Sequence, residues 1–126
     1  MNEFIDKYGV NLIIEHNKTN IVFKTSDKNI QNYRLELYFN EDTIKKITEY
    51  LNEISKNIWS DFKPKEATSM SSDYWEYYDR KYDNNGYLSM HKRPCLVIER
   101  PDLECPYLYK FNKKRMESFI YDLNKQ

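Results

Sequence analysis

Tyr33-Arg34-Leu35-Glu36-Leu37-Tyr38-Phe39-Asn40-Glu41-Asp42-Thr43-Ile44, residues 33–44, changes its hydrophobic period halfway, and that change decides the fold class. Tyr33, Leu35, Leu37 and Phe39 alternate with Arg34, Glu36 and Tyr38, the period of two expected of a strand with one buried face. From Ile44 onward the apolar residues Ile44, Ile47, Leu51, Ile54 and Ile58 recur at three and four, which places them along one helical stripe. Asn40 or Asp42 supplies the N-cap, and the pattern predicts a long amphipathic helix over about 42–62, stopped by Pro64. Lys45, Lys46, Glu49, Glu53 and Lys56 fall mostly on its other faces, so the helix should dock across a sheet. Two and a half heptads are too few for a coiled-coil seam.

Reading outward, residues 10–15 and 21–25 are β-branched runs joined by His-Asn-Lys-Thr-Asn and predict a hairpin. Residues 87–92, 95–100 and 107–111 predict three further strands, punctuated by Pro94, Pro101 and Pro106 at their ends. Asn112 caps a C-terminal helix over about 113–124, with Met116, Phe119, Ile120 and Leu123 on one face. The expected architecture is α+β: one mostly antiparallel sheet of five or six strands with these helices packed on it. Residues 1–126 are expected to form a single domain with a flexible loop at 63–72.

Composition narrows the function classes. Lys plus Arg and Asp plus Glu each number 20, for no formal net charge. Residues 41–83 carry ten acids against seven bases, and residues 84–126 eight bases against five acids. Neither the basic excess of a dedicated nucleic-acid binder nor the acidic excess of a DNA mimic is present. A mean hydropathy of −0.93 argues for a well-solvated surface. No apolar run approaches the roughly 20 residues of a membrane span, and no signal-peptide pattern opens the chain, so a cytoplasmic protein is expected. Cys95 and Cys105 are therefore expected to be reduced, although a hairpin at Pro101 would allow them to meet. Fifteen Lys to five Arg, thirteen Asn and a single Ala point to A/T-rich codons, as in a low-GC bacterium or its mobile elements.

The densest chemistry lies at residues 73–83, Asp-Tyr-Trp-Glu-Tyr-Tyr-Asp-Arg-Lys-Tyr-Asp, with five aromatics and four carboxylates in eleven positions. Asp73 with Glu76 resembles a capping box, and Trp75, Tyr78 and Tyr82 fall at helical spacing, which predicts a short helix over about 73–82. A strand leading into an Asn84-Asn85-Gly86 hairpin turn fits the same residues. The local pattern permits both, and the expectation adopted is the helix. Trp75, Tyr78 and Tyr82 would then pack on the sheet, leaving Tyr74 and Tyr77 outside among Asp73, Glu76 and Asp79. Large amphipathic rings beside carboxylates suit a basic protein partner, so Tyr74, Trp75, Glu76, Tyr77, Tyr78 and Asp79 are the candidate partner-binding residues.

Two weaker sites compete with it. His91 in Met-His-Lys-Arg-Pro, with His16 as second imidazole and Lys92, Arg93 or Arg100 on a phosphate, would suit a small nuclease acting on RNA or a cyclic oligonucleotide. The bland alternative is an exposed strand-end histidine. Lys110, Lys113, Lys114 and Arg115, beside Tyr107 and Tyr109, would suit a small nucleic-acid or nucleotide patch, against the alternative of a solvated lysine face. Two glycines exclude a Gly-rich phosphate loop, and neither a Cys-x-x-Cys pair nor a paired-His spacing occurs, so neither a metal nor a cofactor is expected.

In size, single-domain build, aromatic richness and codon signature the chain is similar to the small inhibitor proteins of bacterial conflict: anti-CRISPR and other anti-defence proteins, and the immunity proteins of toxin systems. The resemblance implies a protein that binds and blocks a nucleic-acid-processing protein. Exposed strands and aromatic patches, which often pair, also allow a homo-oligomer, and the short apolar runs leave no membrane partner expected.

Overall fold

The computed structural model describes residues 2–26, 34–68, 72–91, 95–99 and 105–125. Its elements are β1 (Glu3–Ile5), β2 (Asn11–His16), β3 (Ile21–Lys24), β4 (Arg34–Tyr38), α1 (Glu41–Ile58), β5 (Glu76–Asp79), β6 (Asn84–His91), β7 (Cys95–Glu99), β8 (Tyr109–Phe111) and α2 (Lys113–Leu123). The α+β class holds, but the strands form two four-stranded antiparallel sheets, ordered β1-β2-β3-β8 and β4-β7-β6-β5, where one sheet was expected. The difference arises at β8. Ile21, Val22 and Phe23 pair with Phe111, Lys110 and Tyr109, so the last strand joins the N-terminal hairpin instead of extending the meander of β6 and β7.

Both helices start where their caps predict. Asn40 has an extended backbone and accepts from Thr43 N, and Asn112 accepts from Arg115 N. Ile44, Ile47, Leu51 and Ile54 are buried along α1, as are Met116, Phe119, Ile120 and Leu123 along α2. The first helix ends at Ile58, short of Phe62, because Trp59 turns extended (φ −119°, ψ 109°) and stacks on Phe62 at 5.9 Å. Pro64 is not the terminator. Beyond that corner, Lys63 N donates to the buried Glu117 carboxylate (3.0 Å) and Lys65 N to the Glu117 carbonyl (3.2 Å), tying this part of the expected loop to α2. Residues 69–71 lie outside the described residues.

The expected helix at 73–82 is instead β5 and a turn. Tyr77 pairs with Gly86 and Tyr78 with Asn85 across β5 and β6, and the connecting turn is Arg80-Lys81-Tyr82-Asp83, not Asn-Gly. Asp79 Oδ1 accepts from Lys81 N (3.0 Å) and Tyr82 N (3.4 Å), an Asx-type turn, and Asp83 takes the left-handed conformation (φ 51°) that Asp tolerates better than most side chains. Gly86 sits within β6 because the Tyr77 ring lies where its Cβ would be, 2.1 Å from Tyr77 Cε1. Asp73 accepts from Thr68 N (3.0 Å) and closes a loop in place of capping a helix.

The core is continuous between the sheets and helices: Leu12, Ile14, Ile21 and Phe23 meet Leu35, Leu37, Leu88, Leu96 and Ile98 through the helix stripes. An aromatic seam joins Tyr77, Tyr109, Phe111, Phe119, Phe23 and Tyr74 with centroids 4.6–6.1 Å apart. The two sheets are stitched at both flanks. At one, Tyr109 OH donates to the Tyr74 carbonyl. At the other, the buried Asp6 carboxylate accepts from Tyr8 N, Val10 N and Tyr38 N, all at 2.9 Å, and Lys7 N donates to Tyr38 O at 2.8 Å. No helix among the described residues is long and apolar enough to cross a membrane. Cys95 and Cys105 are buried and form no disulfide.

Candidate functional site

Strand geometry redistributes the 73–83 segment. Side chains alternate across β5, so Tyr77 and Asp79 point inward (3% and 2% exposed) while Glu76 and Tyr78 point outward. The inward and outward aromatics are thus exchanged relative to the helical reading: Tyr74 and Tyr77 are core, and Trp75 (49% exposed) and Tyr78 (58%) are surface. Tyr74 OH donates to Asp122 Oδ2 at 2.7 Å, and Tyr107 OH donates to Asp79 Oδ2. Burial, reinforced by those carboxylates, pushes both phenols well above the ordinary tyrosine range, and burial alone is the leading cause for Tyr77 and Tyr109.

The register places the outward residues in rows. Glu76 lies opposite Tyr87, which lies opposite Glu99, which lies opposite Arg34; Ser89, Val97 and Glu36 form a second row, and His91, Cys95 and Tyr38 a third. Trp75, at the start of β5, rests its ring against Tyr87 (6.2 Å, 61°). Tyr78 OH donates to Asp83, and Asn85 Nδ2 to Glu76 (3.4 Å). Arg34 forks between Glu36 and Glu99 at 3.2 Å each, and Tyr38 OH donates to Glu36 at 2.9 Å. The Tyr38 bond, then Arg34, lowers the Glu36 carboxyl, and the same bond pushes the Tyr38 phenol up to about 12. At the far edge Tyr8, 75% exposed, meets Tyr38 edge-on at 5.5 Å. The result is an open sheet face with Trp75, Tyr78 and Tyr87 at one end, Tyr8 and Tyr38 at the other, and Glu36, Glu76, Asp83 and Glu99 on it beside the Arg34 guanidinium, with Arg80 and Lys81 exposed in the β5-β6 turn. Sequence reasoning missed the contributions of β4, β6 and β7, because cross-strand register is not written in local pattern.

The competing sites are dispersed. His91 is exposed at the end of β6, 3.5 Å from Ser89 Oγ and near Glu36, whereas His16 ends β2 in the other sheet. Lys92, Arg93 and Arg100 lie outside the described residues. Of the basic cluster, Lys113 pairs with Asp61 (2.8 Å) and Arg115 Nε donates to the Glu76 carbonyl (3.2 Å) at the β5 edge. Lys114 is exposed, and Lys110 stands on the outer face of β8, over the Tyr107 ring. No group of three His, Cys, Asp or Glu residues stands together as a metal site among the described residues. No protein-family model matches the chain, and neither a curated protein nor a solved structure matches it.

Proposed function

We propose that the protein is a binding inhibitor or adaptor that docks the outer face of the β4-β7-β6-β5 sheet onto a basic surface of another protein. The observation that carries this reading is the exposed Trp75 and Tyr78, with the half-buried Tyr87 against Trp75, bordered by Glu76, Asp83 and Glu99. Aromatic rings with polar tips supply most of the binding energy at protein interfaces, and they concentrate where the surrounding rim is polar. The carboxylates select a cationic partner and speed its encounter, so association should slow as salt rises. A nucleic-acid-processing protein, whose own substrate demands a basic surface, fits that charge and agrees with the likeness to small inhibitors of bacterial conflict.

The binding residues in this reading are Trp75, Glu76 and Tyr78, joined by Tyr87; Tyr74, Tyr77 and Asp79 hold them in place from beneath. The test is affinity capture with wild-type bait beside a Trp75→Ala/Tyr78→Ala bait, both shown folded by circular dichroism. A stoichiometric basic partner should be retained by the wild type and lost by the double variant. Retention of that partner by the folded double variant would overturn the site.

A further inference from the structure

The opposite sheet carries a second feature, and it does not depend on the function proposed above. Between the β2-β3 turn and residues 106–110 lies an open groove of about 310 Å³, lined by Glu15, His16, Asn20, Lys24, Tyr107 and Lys110, with Val22 as its floor. Glu15, Val22 and Lys110 lie in one cross-strand row, so the groove is built on sheet backbone and not on a loop alone.

We infer that this groove binds a single phosphate-bearing nucleotide unit, with Lys110 on the phosphate and Tyr107 beside the base. Tyr107 is held as a platform: its hydroxyl donates to the buried Asp79, and the edge of Tyr82 meets it at 6.3 Å, so the ring is ordered before any ligand arrives. Lys110 Nζ sits over the Tyr107 ring, 5.8 Å from its centroid, so a phosphate drawing the ammonium toward itself would uncover the flat ring for a base, the two groups a nucleotide requires together. Lys24 is already matched by Glu15 at 2.8 Å, which also removes that carboxylate as a source of repulsion toward an anion. His16 and the Asn20 amide add donors at the turn. The volume lies at the lower end of small-ligand sites, and one lysine without a carboxylate partner among the described groove residues is too little charge to follow a strand. A single unit is what remains: a free nucleotide or the phosphorylated end of a strand.

The experiment is a nitrogen-15 NMR titration of the full chain with 5′-AMP, 5′-UMP, adenosine, inorganic phosphate and a 5′-phosphorylated single-stranded pentanucleotide. Saturable shifts at residues 15–24 and 106–110 are expected with the nucleotides, weaker with adenosine and phosphate, and Lys110→Glu should weaken nucleotide binding by about tenfold or more. Lys110 faces outward from β8 and is half-buried, so circular dichroism is used to show that the variant is folded before affinities are compared. A pentanucleotide that binds more tightly than 5′-AMP identifies the strand end as occupant, and one that binds no better identifies the free nucleotide. The inference is overturned by no shifts at millimolar nucleotide, by shifts that leave these residues untouched, by equal binding of inorganic phosphate, or by unchanged affinity in Lys110→Glu.

Discussion

Gly86→Ala tests the strand pairing that separates surface from core in the candidate site. The new methyl carbon would stand 2.1 Å from Tyr77 Cε1 and 2.9 Å from Cδ1 and Cζ, well inside contact distance. The Tyr77 ring has little room to yield, because it is 3% exposed and Tyr109 presses on it at 4.7 Å and 71°. Gly86 does not have a positive φ, so alanine suits its backbone and would by itself add about 0.4–1 kcal/mol through the unfolded chain. Overpacking of this severity costs about 3 kcal/mol and outweighs that gain. The melting midpoint should then fall by roughly 10 °C for a chain of this size, and the urea midpoint should fall with it at unchanged m-value. The cause is isolated by Tyr77→Leu/Gly86→Ala. With the ring gone, Gly86→Ala should become nearly neutral, a coupling of about 2 kcal/mol or more. Additive single-variant costs would refute the pairing of Tyr77 with Gly86 and restore a helical reading of residues 73–82.

Three further outcomes follow from the same geometry. Asp6→Asn replaces one carboxylate oxygen with an amide that cannot accept from the backbone N–H groups now facing it, and should cost about 2 kcal/mol in urea unfolding. The buried phenols of Tyr74, Tyr77 and Tyr109 have folded pKa values above those of the unfolded chain, so their contribution is complete below about pH 10 and is lost as pH rises through the folded values. Alkaline titration followed by tyrosinate absorbance and circular dichroism should therefore show these phenols ionising together with unfolding; ionisation in a still-folded chain would contradict their burial. Partner capture should show a salt-sensitive association rate, since the carboxylates on the second sheet are exposed, and a rate unchanged between low and high salt would exclude electrostatic docking.

The elements with long or capped patterns were legible in the sequence. Asn40 and Asn112 announce both helices, the isoleucine stripe gives the buried face of α1, and the alternation of Leu35 and Leu37 gives β4. What the sequence hid was pairing at a distance. Nothing local to Tyr109-Lys110-Phe111 says that it joins Ile21-Val22-Phe23 and not β6 or β7, and that single choice divides one expected sheet into two. The three-residue β1 is too short for periodicity to register. At residues 73–82 both periods fit the aromatics, and the tie was broken by contacts outside the segment: Tyr77 needs the space above Gly86, and Asp79 needs Tyr107. Locating the candidate surface in β5 was possible from composition, but knowing which rings face outward required the strand.

The most direct test of the central claim is hydrogen–deuterium exchange on the purified complex against the free protein. Docking on the outer face of the second sheet predicts slowed exchange at residues 75–79 and 84–91, with residues 15–24 on the opposite sheet unchanged. Slowing confined to the first sheet or the helices, with residues 75–79 and 84–91 exchanging as in the free protein, would contradict it.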